Sequence, residues 1–212
     1  MKYYQIKKEI KNKPKTGDYS DWKHPISVEC KNQCVYCTII EKKFGGIRNF
    51  HVEHYRPKSL FPALENEWSN LFFSCSICNC FKSNDWPNEP DNTWSQKCYP
   101  DPSQIDYSTI LEWSEKTNYK LEGKNISANY IIEKLFLNRP QLLLERKEYT
   151  IINIIFVELT NINNLIDNIC NSKITDSDLC NLFRDMAKMY FDLLADMNSN
   201  YIPYTESQVK RS

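Results

Sequence analysis

Two Cys-x-x-Cys pairs, Cys34-Val35-Tyr36-Cys37 and Cys75-Ser76-Ile77-Cys78, flank a stretch holding two of the three histidines of this 212-residue chain. Each pair sets two thiolates on one side of a tight turn. Two such turns brought together supply the four soft ligands of a closed, structural zinc site. Between the pairs runs His51-Val52-Glu53-His54-Tyr55-Arg56-Pro57-Lys58, then Asn70-Leu71, and Asn79 follows the second pair. A neutral imidazole is a general base near physiological pH, which makes His54 the candidate base. Glu53 and Asn79 are candidate ligands of a hard divalent cation, which keeps open positions for water and phosphate oxygens. Such a cation polarises a phosphate and stabilises the leaving oxygen while the histidine takes a proton from attacking water. Asn70 is placed where its amide can hold the histidine-bearing loop.

These groups need a frame. A short helix is expected from Cys34 towards Lys43, ended by Gly45-Gly46, whose glycines adopt positive φ without penalty. Ile47 to Tyr55 reads as a strand stopped by Pro57, with His51 and Glu53 on one face and Val52 and His54 on the other. Asn70 to Phe73 returns to the second cysteine pair, and a helix carries Asn79 and Lys82. Residues 84 to 106 have loop composition. Thr109 to Trp113 and Tyr119 to Leu121 predict a hairpin. Ser127 predicts the cap of a helix through Leu137, and Pro140 the start of the next. In the last helix, Leu179, Leu182, Phe183, Met186, Tyr190, Leu193, Leu194 and Met197 recur at helical spacing behind a capping-box-like Thr175 and Asp178. That stripe is core or partner surface. The resulting division is a basic arm over 1–33, a site-bearing core over 34–125, an α-helical region over 126–200 and a tail over 201–212.

Composition excludes some classes. With 41% apolar and 25% charged residues the chain is globular. Nine cysteines would suit a secreted disulfide scaffold, but the number is odd and two pairs have metal spacing. With no signal-peptide pattern at the start, a cytoplasmic protein with reduced thiols is expected. No apolar run is long enough to span a bilayer, so no membrane partner is expected. Residues 1–60 carry 13 Lys and Arg against 6 Asp and Glu, a surplus of +7, and the other 152 residues carry the matching deficit. The lysines near the start alternate with Tyr3, Tyr4, Tyr19 and Trp22. Such a segment either tracks a nucleic-acid backbone or packs its aromatics on the core. His24 has no motif around it and is read as structural. Cys30 and Cys80 adjoin the zinc pairs without fitting their spacing, and Cys98, Cys170 and Cys180 read as buried thiols.

The order Cys-x-x-Cys, acidic-His-x-x-Pro, Asn-Leu, Cys-x-x-Cys-Asn-x-x-Lys resembles the zinc-stapled form of the HNH nuclease superfamily. The string Glu53-His54-Tyr55-Arg56-Pro57-Lys58-Ser59 and the later Leu137-Asn138 and Arg146 are similar to PtuB, the HNH component of Septu- and retron-type anti-phage systems. The resemblance is strong over residues 34 to 82 and faint over 99 to 150. It implies an α+β fold, a ββα-metal (His-Me finger) core with a structural zinc site, followed by a mostly α-helical C-terminal part. It implies a metal-dependent endonuclease acting on nucleic acid, double-stranded DNA first, with structural Zn²⁺ and catalytic Mg²⁺ or Mn²⁺. On it, His54 is the base and Asn70 the loop-orienting residue. Glu53 and Asn79 are metal ligands, and Cys34, Cys37, Cys75 and Cys78 hold zinc. Arg56, Lys58 and Lys82 face nucleic acid, and His51 is auxiliary. A partner ATPase is also implied, with the acidic helical half as its dock; self-association stays open. Glu53 stands where Asp is commoner, and strand alternation separates it from His54 unless a bulge or turn intervenes.

Two other chemistries fit parts of the pattern. His51-Val52-Glu53 with Cys75 and Cys78 imitates a zinc deaminase, in which a histidine and two cysteines bind a catalytic zinc. Against it, Ser74 replaces the expected proline, Pro57 interrupts the required helix, and Cys34 and Cys37 have no role. The third reading is a non-catalytic, zinc-stabilised module that binds nucleic acid or protein.

Overall fold

The computed structural model describes residues 1–91, 93–171 and 177–198, with side chains left out at 166, 169–171 and 193–198. Helix α1 (Lys23–Glu29) packs against a hairpin of β1 (Phe50–His54) and β2 (Leu71–Cys75). The two strands run antiparallel from Phe50 opposite Cys75 to His54 opposite Leu71. Tyr55 N–H donates to the Asn70 carbonyl at 2.9 Å, carrying the ladder one step further. Helix α2 (Ser76–Lys82) leaves β2 without a connecting loop. All five β2 residues are buried, so Leu71, Phe72 and Phe73 form the centre of the core. Phe50 stacks on Phe73 with ring centres 4.5 Å apart.

The expected helix from Cys34 to Lys43 does not form. Cys34 to Cys37 is a tight turn closed by Thr38 N–H on the Cys34 carbonyl, and Cys34 N–H bonds the Ile39 carbonyl, both at 2.9 Å. Only Glu41–Phe44 coils, as a 3₁₀ turn ended by Gly45 at φ 78°. The strand is shorter than expected, because Ile47–Asn49 is another 3₁₀ turn. The hairpin of β3 (Leu111–Glu112) and β4 (Glu122–Gly123) is present, but displaced towards the C-terminus in its second arm. Helix α3 (Ile126–Lys134) is capped by Asn125, whose side chain accepts from Ala128 N–H at 2.8 Å. Ser127 is instead inside, its hydroxyl donating to the Gln96 carbonyl at 2.7 Å. The segment between α2 and β3 is a loop, as composition suggests, anchored by buried Cys98 and Tyr99.

The N-terminal arm packs on the core. Met1, Tyr3, Ile6 and Trp22 are buried, and Ile6 N–H donates to the Pro102 carbonyl at 2.8 Å. Its strongest anchor is the ion pair of Lys8 Nζ and Glu29 Oε2, 2.6 Å apart, with each side chain 5% exposed. The Lys8 ammonium also stands 4.1 Å from the centre of the Trp68 ring. The other Glu29 oxygen accepts from Glu9 N–H, Asn12 Nδ2 and Trp68 Nε1.

Contacts divide the chain after Glu145, so α3 belongs with the hairpin unit and not with a separate helical region. Helix α4 (Pro140–Asn171) starts at the expected proline, and α5 is Ser177–Asn198. From Arg146 on they form a unit of their own, in which Phe156 meets Phe191 edge-on at 6.0 Å. Among the described α5 side chains Cys180 and Ala187 are buried, whereas Leu179, Leu182, Phe183, Met186 and Tyr190 of the apolar stripe are 40–56% exposed. The expected cap at Thr175 and the expected thiol of Cys170 lie outside the described residues and side chains. No helix among the described residues is long and apolar enough to cross a membrane.

Breaking a buried ion pair from one side leaves an uncompensated charge, at a cost of about 3–5 kcal/mol. Glu29→Ala is therefore expected to destabilise the hairpin unit by about that amount in urea unfolding. Adding Lys8→Met to it should restore the part of the loss that comes from the unpaired ammonium, leaving the part due to the three donors to Glu29 Oε1. A loss below about 1 kcal/mol for Glu29→Ala would mean that the Lys8 ammonium reaches water without its partner.

Candidate active site and metal centre

Cys34, Cys37, Cys75 and Cys78 converge although some forty residues separate the pairs. Val35 N–H donates to the Phe73 carbonyl at 2.9 Å, which fastens the first turn to β2. The second pair straddles the junction of β2 and α2, where Cys78 N–H donates to Cys75 Sγ at 3.5 Å and caps the helix. The four sulfurs are buried and lie within 4.8 Å of one another. Cys37 and Cys75 Sγ are 3.7 Å apart, close to the edge of ~3.8 Å expected of a tetrahedron with Zn–S near 2.3 Å. Soft donors at that spacing fit zinc. His51 is not in this group, which removes the His/Cys/Cys site of the deaminase reading. Cys30 is not in it either: its sulfur accepts from Phe73 N–H, and burial pushes its thiol up to about 12.

Sequence reasoning missed the cation beside the sulfurs. Arg139, the residue before α4, donates from Nη1 to Cys78 Sγ at 3.7 Å and from Nη2 to Cys37 and Cys75 at 3.6 and 3.9 Å. Burial disfavours its charge, but the sulfurs of Cys37 and Cys78 outweigh that and raise its pKa. Zinc with four thiolates carries a net charge of −2, and a guanidinium against three of them offsets part of it.

A cavity of about 540 Å³ opens beside this frame, and His51, Glu53, His54 and Asn79 all line it. No bulge is needed to bring Glu53 and His54 there, since the β1–β2 register is regular throughout. His54 is the last strand residue, where the chain turns towards Pro57. Its Nε2 lies 2.9 Å from the Glu65 carbonyl oxygen. A carbonyl can only accept, so Nε2 carries the proton and Nδ1 keeps its lone pair. Burial holds the His54 pKa below its usual value, which favours the neutral ring.

Asn70 is buried and makes three bonds to the turn after β1. Its Oδ1 accepts from Arg56 N–H at 2.7 Å, and its Nδ2 donates to the Arg56 and Leu64 carbonyls at 3.0 and 3.2 Å. That geometry suits a side chain that fixes the loop following His54.

Lys82 corrects the sequence reading. Expected on the nucleic-acid face, its side chain is 0% exposed and out of reach of any phosphate. Its ammonium lies 2.7 Å from Glu53 Oε1 and donates to the His54 carbonyl at 2.9 Å. The same Glu53 oxygen accepts from the Tyr36 hydroxyl at 3.2 Å. Burial raises the Glu53 pKa, with the Lys82 charge opposing. Tyr36 lies inside the first cysteine pair, where only its position beside the metal frame hinted at a role. Arg56 is half-buried and paired with Glu89 at 2.8 Å, whereas Lys58 is exposed and lines the cavity. Lys23 of α1, one of the lysines of the basic and aromatic arm, lines it too.

Residues 34–85 match the family described as HNH endonuclease. The chain is also similar to the Septu protein PtuB of Bacillus thuringiensis, 30% identical over 126 residues. That match takes in 55% of this chain but only 43% of the relative, so less than half of the relative's length is represented. No solved structure is a significant match to the chain.

One zinc per chain is the expected result of elemental analysis on the purified protein, and Cys37→Ser should abolish it. Arg139→Ala is expected to keep the zinc but to yield it to a chelator about ten- to a hundredfold more readily. If Arg139→Ala and the parent compete equally with the chelator, the guanidinium contributes nothing to holding the metal.

Proposed function

We propose that this chain, an HNH-type and PtuB-like protein over the residues it shares with those relatives, is a metal-dependent endonuclease. Its substrate on this reading is the phosphodiester bond of nucleic acid, double-stranded DNA first, and its role that of nuclease effector in an anti-phage system. The observation that carries it is His54, with Nε2 occupied by the Glu65 carbonyl, opening into the cavity that also receives Glu53 and Asn79. β1, β2 and α2 are read as the ββα-metal unit and the four-cysteine group as its structural zinc staple.

Each group then has a task. His54 Nδ1 takes a proton from the attacking water, and the bond at Nε2 stabilises the charge the ring acquires. Asn70 holds the turn on which that ring sits. Glu53 and Asn79 offer hard oxygen donors suited to Mg²⁺ or Mn²⁺, which when bound would polarise the phosphate and stabilise the leaving oxygen. Lys58 and Arg56 remain candidates for backbone contact, and Lys82 does not. His51 stands at the cavity with a pKa lowered by burial and by Lys23, as an auxiliary group. The resemblance to Septu-type systems also supports a partner ATPase and a cytoplasmic setting. One observation favours the non-catalytic binding module instead: Lys82 already neutralises much of Glu53, which leaves a weaker attraction for a divalent ion.

Incubation of the zinc-loaded chain with duplex, single-stranded DNA and tRNA, each with Mg²⁺ or Mn²⁺, tests both readings. His54→Ala is expected to lower cleavage by at least about a hundredfold, in line with removal of a general base, with zinc content unchanged. A variant that cuts as fast as the parent would remove His54 as the base. Shifted mobility of the nucleic acid with no products from the parent would select the binding module.

A further inference from the structure

The N-terminal arm reaches the cavity from outside the segment that matches the HNH family. Tyr19 and Ser20 line it, and Tyr19 meets the His54 ring edge-on, with ring centres 4.7 Å apart and planes at 73°. We propose that Tyr19 is a positioning residue for the His54 imidazole. The inference rests on the nuclease reading and deepens it.

Three contacts make Tyr19 a fixed wall. Its N–H donates to Asn66 Oδ1 at 2.9 Å, beside the Glu65 carbonyl that holds His54 Nε2. Its hydroxyl accepts from Lys58 Nζ at 2.6 Å, and the same ammonium lies 4.6 Å from the centre of its ring. Lys58 Nζ is held in turn by Glu65 Oε1 at 3.0 Å. Residues 65 and 66 therefore hold both His54 and the side chain that packs on it. The hydrogen bond to Glu65 fixes one ring nitrogen, but the terminal torsion of a histidine is broad and leaves the ring plane soft. A phenol edge-on against the imidazole narrows that torsion and sets the direction of the Nδ1 lone pair.

The arm does not need Tyr19 for its own attachment. Tyr3, Ile6 and Trp22 are buried, and the Lys8–Glu29 pair anchors the arm through residues that do not line the cavity, whereas Tyr19 is only half-buried. A side chain required only for packing would sit deeper. Tyr19 is placed where it touches the base and borders the space for substrate.

The test compares the full zinc-loaded chain with Tyr19→Leu and Tyr19→Phe, by single-turnover cleavage of duplex DNA and by NMR of the His54 ring protons. Tyr19→Leu is expected to lower kcat about ten- to a hundredfold, the usual effect of losing an outer support, with KM, zinc content and melting temperature held. Tyr19→Phe keeps the ring and should recover most of kcat. The His54 ring signals should move in the leucine variant, which lacks the ring current, and stay near their parental positions in the phenylalanine variant. An active parent whose leucine variant matches it in rate and in His54 signals overturns the proposal alone. A rise in KM without loss of kcat overturns it as well, since Tyr19 would then be a substrate contact. A parent that cuts no nucleic acid overturns the nuclease reading and the proposal with it.

Discussion

A fully desolvated ammonium holds the two halves of the cavity together. Lys82 ends α2, and Glu53 and the His54 carbonyl belong to β1, so this one charge fastens the helix across the hairpin. Burying it is tolerable because a carboxylate and a carbonyl replace its water and the Tyr36 hydroxyl shares the carboxylate. The arrangement constrains the chemistry too. A carboxylate that already has a cation as neighbour cannot offer its full charge to another ion.

The sulfur group and the ammonium act on the same elements from opposite ends. The first cysteine pair is fastened to β2, the second begins α2, and Lys82 closes that helix onto β1. Helix α2 has only seven residues, too few to be stable alone in water. Its position comes from the four-cysteine cluster at one end and the ion pair at the other. Asn79, between them, inherits that rigidity, and Arg139 extends the restraint to the start of α4.

Much of this was legible because certain residue types have few other uses. Paired cysteines at two-residue gaps, a histidine followed three residues on by proline, and an asparagine at the return of the hairpin marked the frame and the cavity. Pro140 marked the start of α4 because its missing N–H costs nothing at that position. Other features were hidden for physical reasons. A lysine is almost always exposed, so nothing local showed that Lys82 would be inside. Arg139 lies more than sixty residues from the nearest cysteine it contacts. Tyr19 belongs to an arm whose alternation of lysine and aromatics suited a nucleic-acid backbone as well as the core. The segment after Cys34 makes one helix-type bond, Thr38 N–H to the Cys34 carbonyl, but Thr38 then takes φ 60° and turns the chain back so that the Ile39 carbonyl meets Cys34 N–H. In α5 the periodicity gave a face without saying which positions would be covered, and among the described side chains it is the smaller Cys180 and Ala187 that lie inside.

Cys80 lines the cavity one residue after Asn79 and is exposed, unlike the other thiols whose side chains are described. The four clustered cysteines, Cys30 and Cys98 are all shielded by burial. Among the described thiols, a maleimide applied to the folded chain would therefore attach first at Cys80, in the cavity lining. That gives a built-in place for a fluorophore or spin label whose signal responds to whatever enters, with no engineered cysteine required.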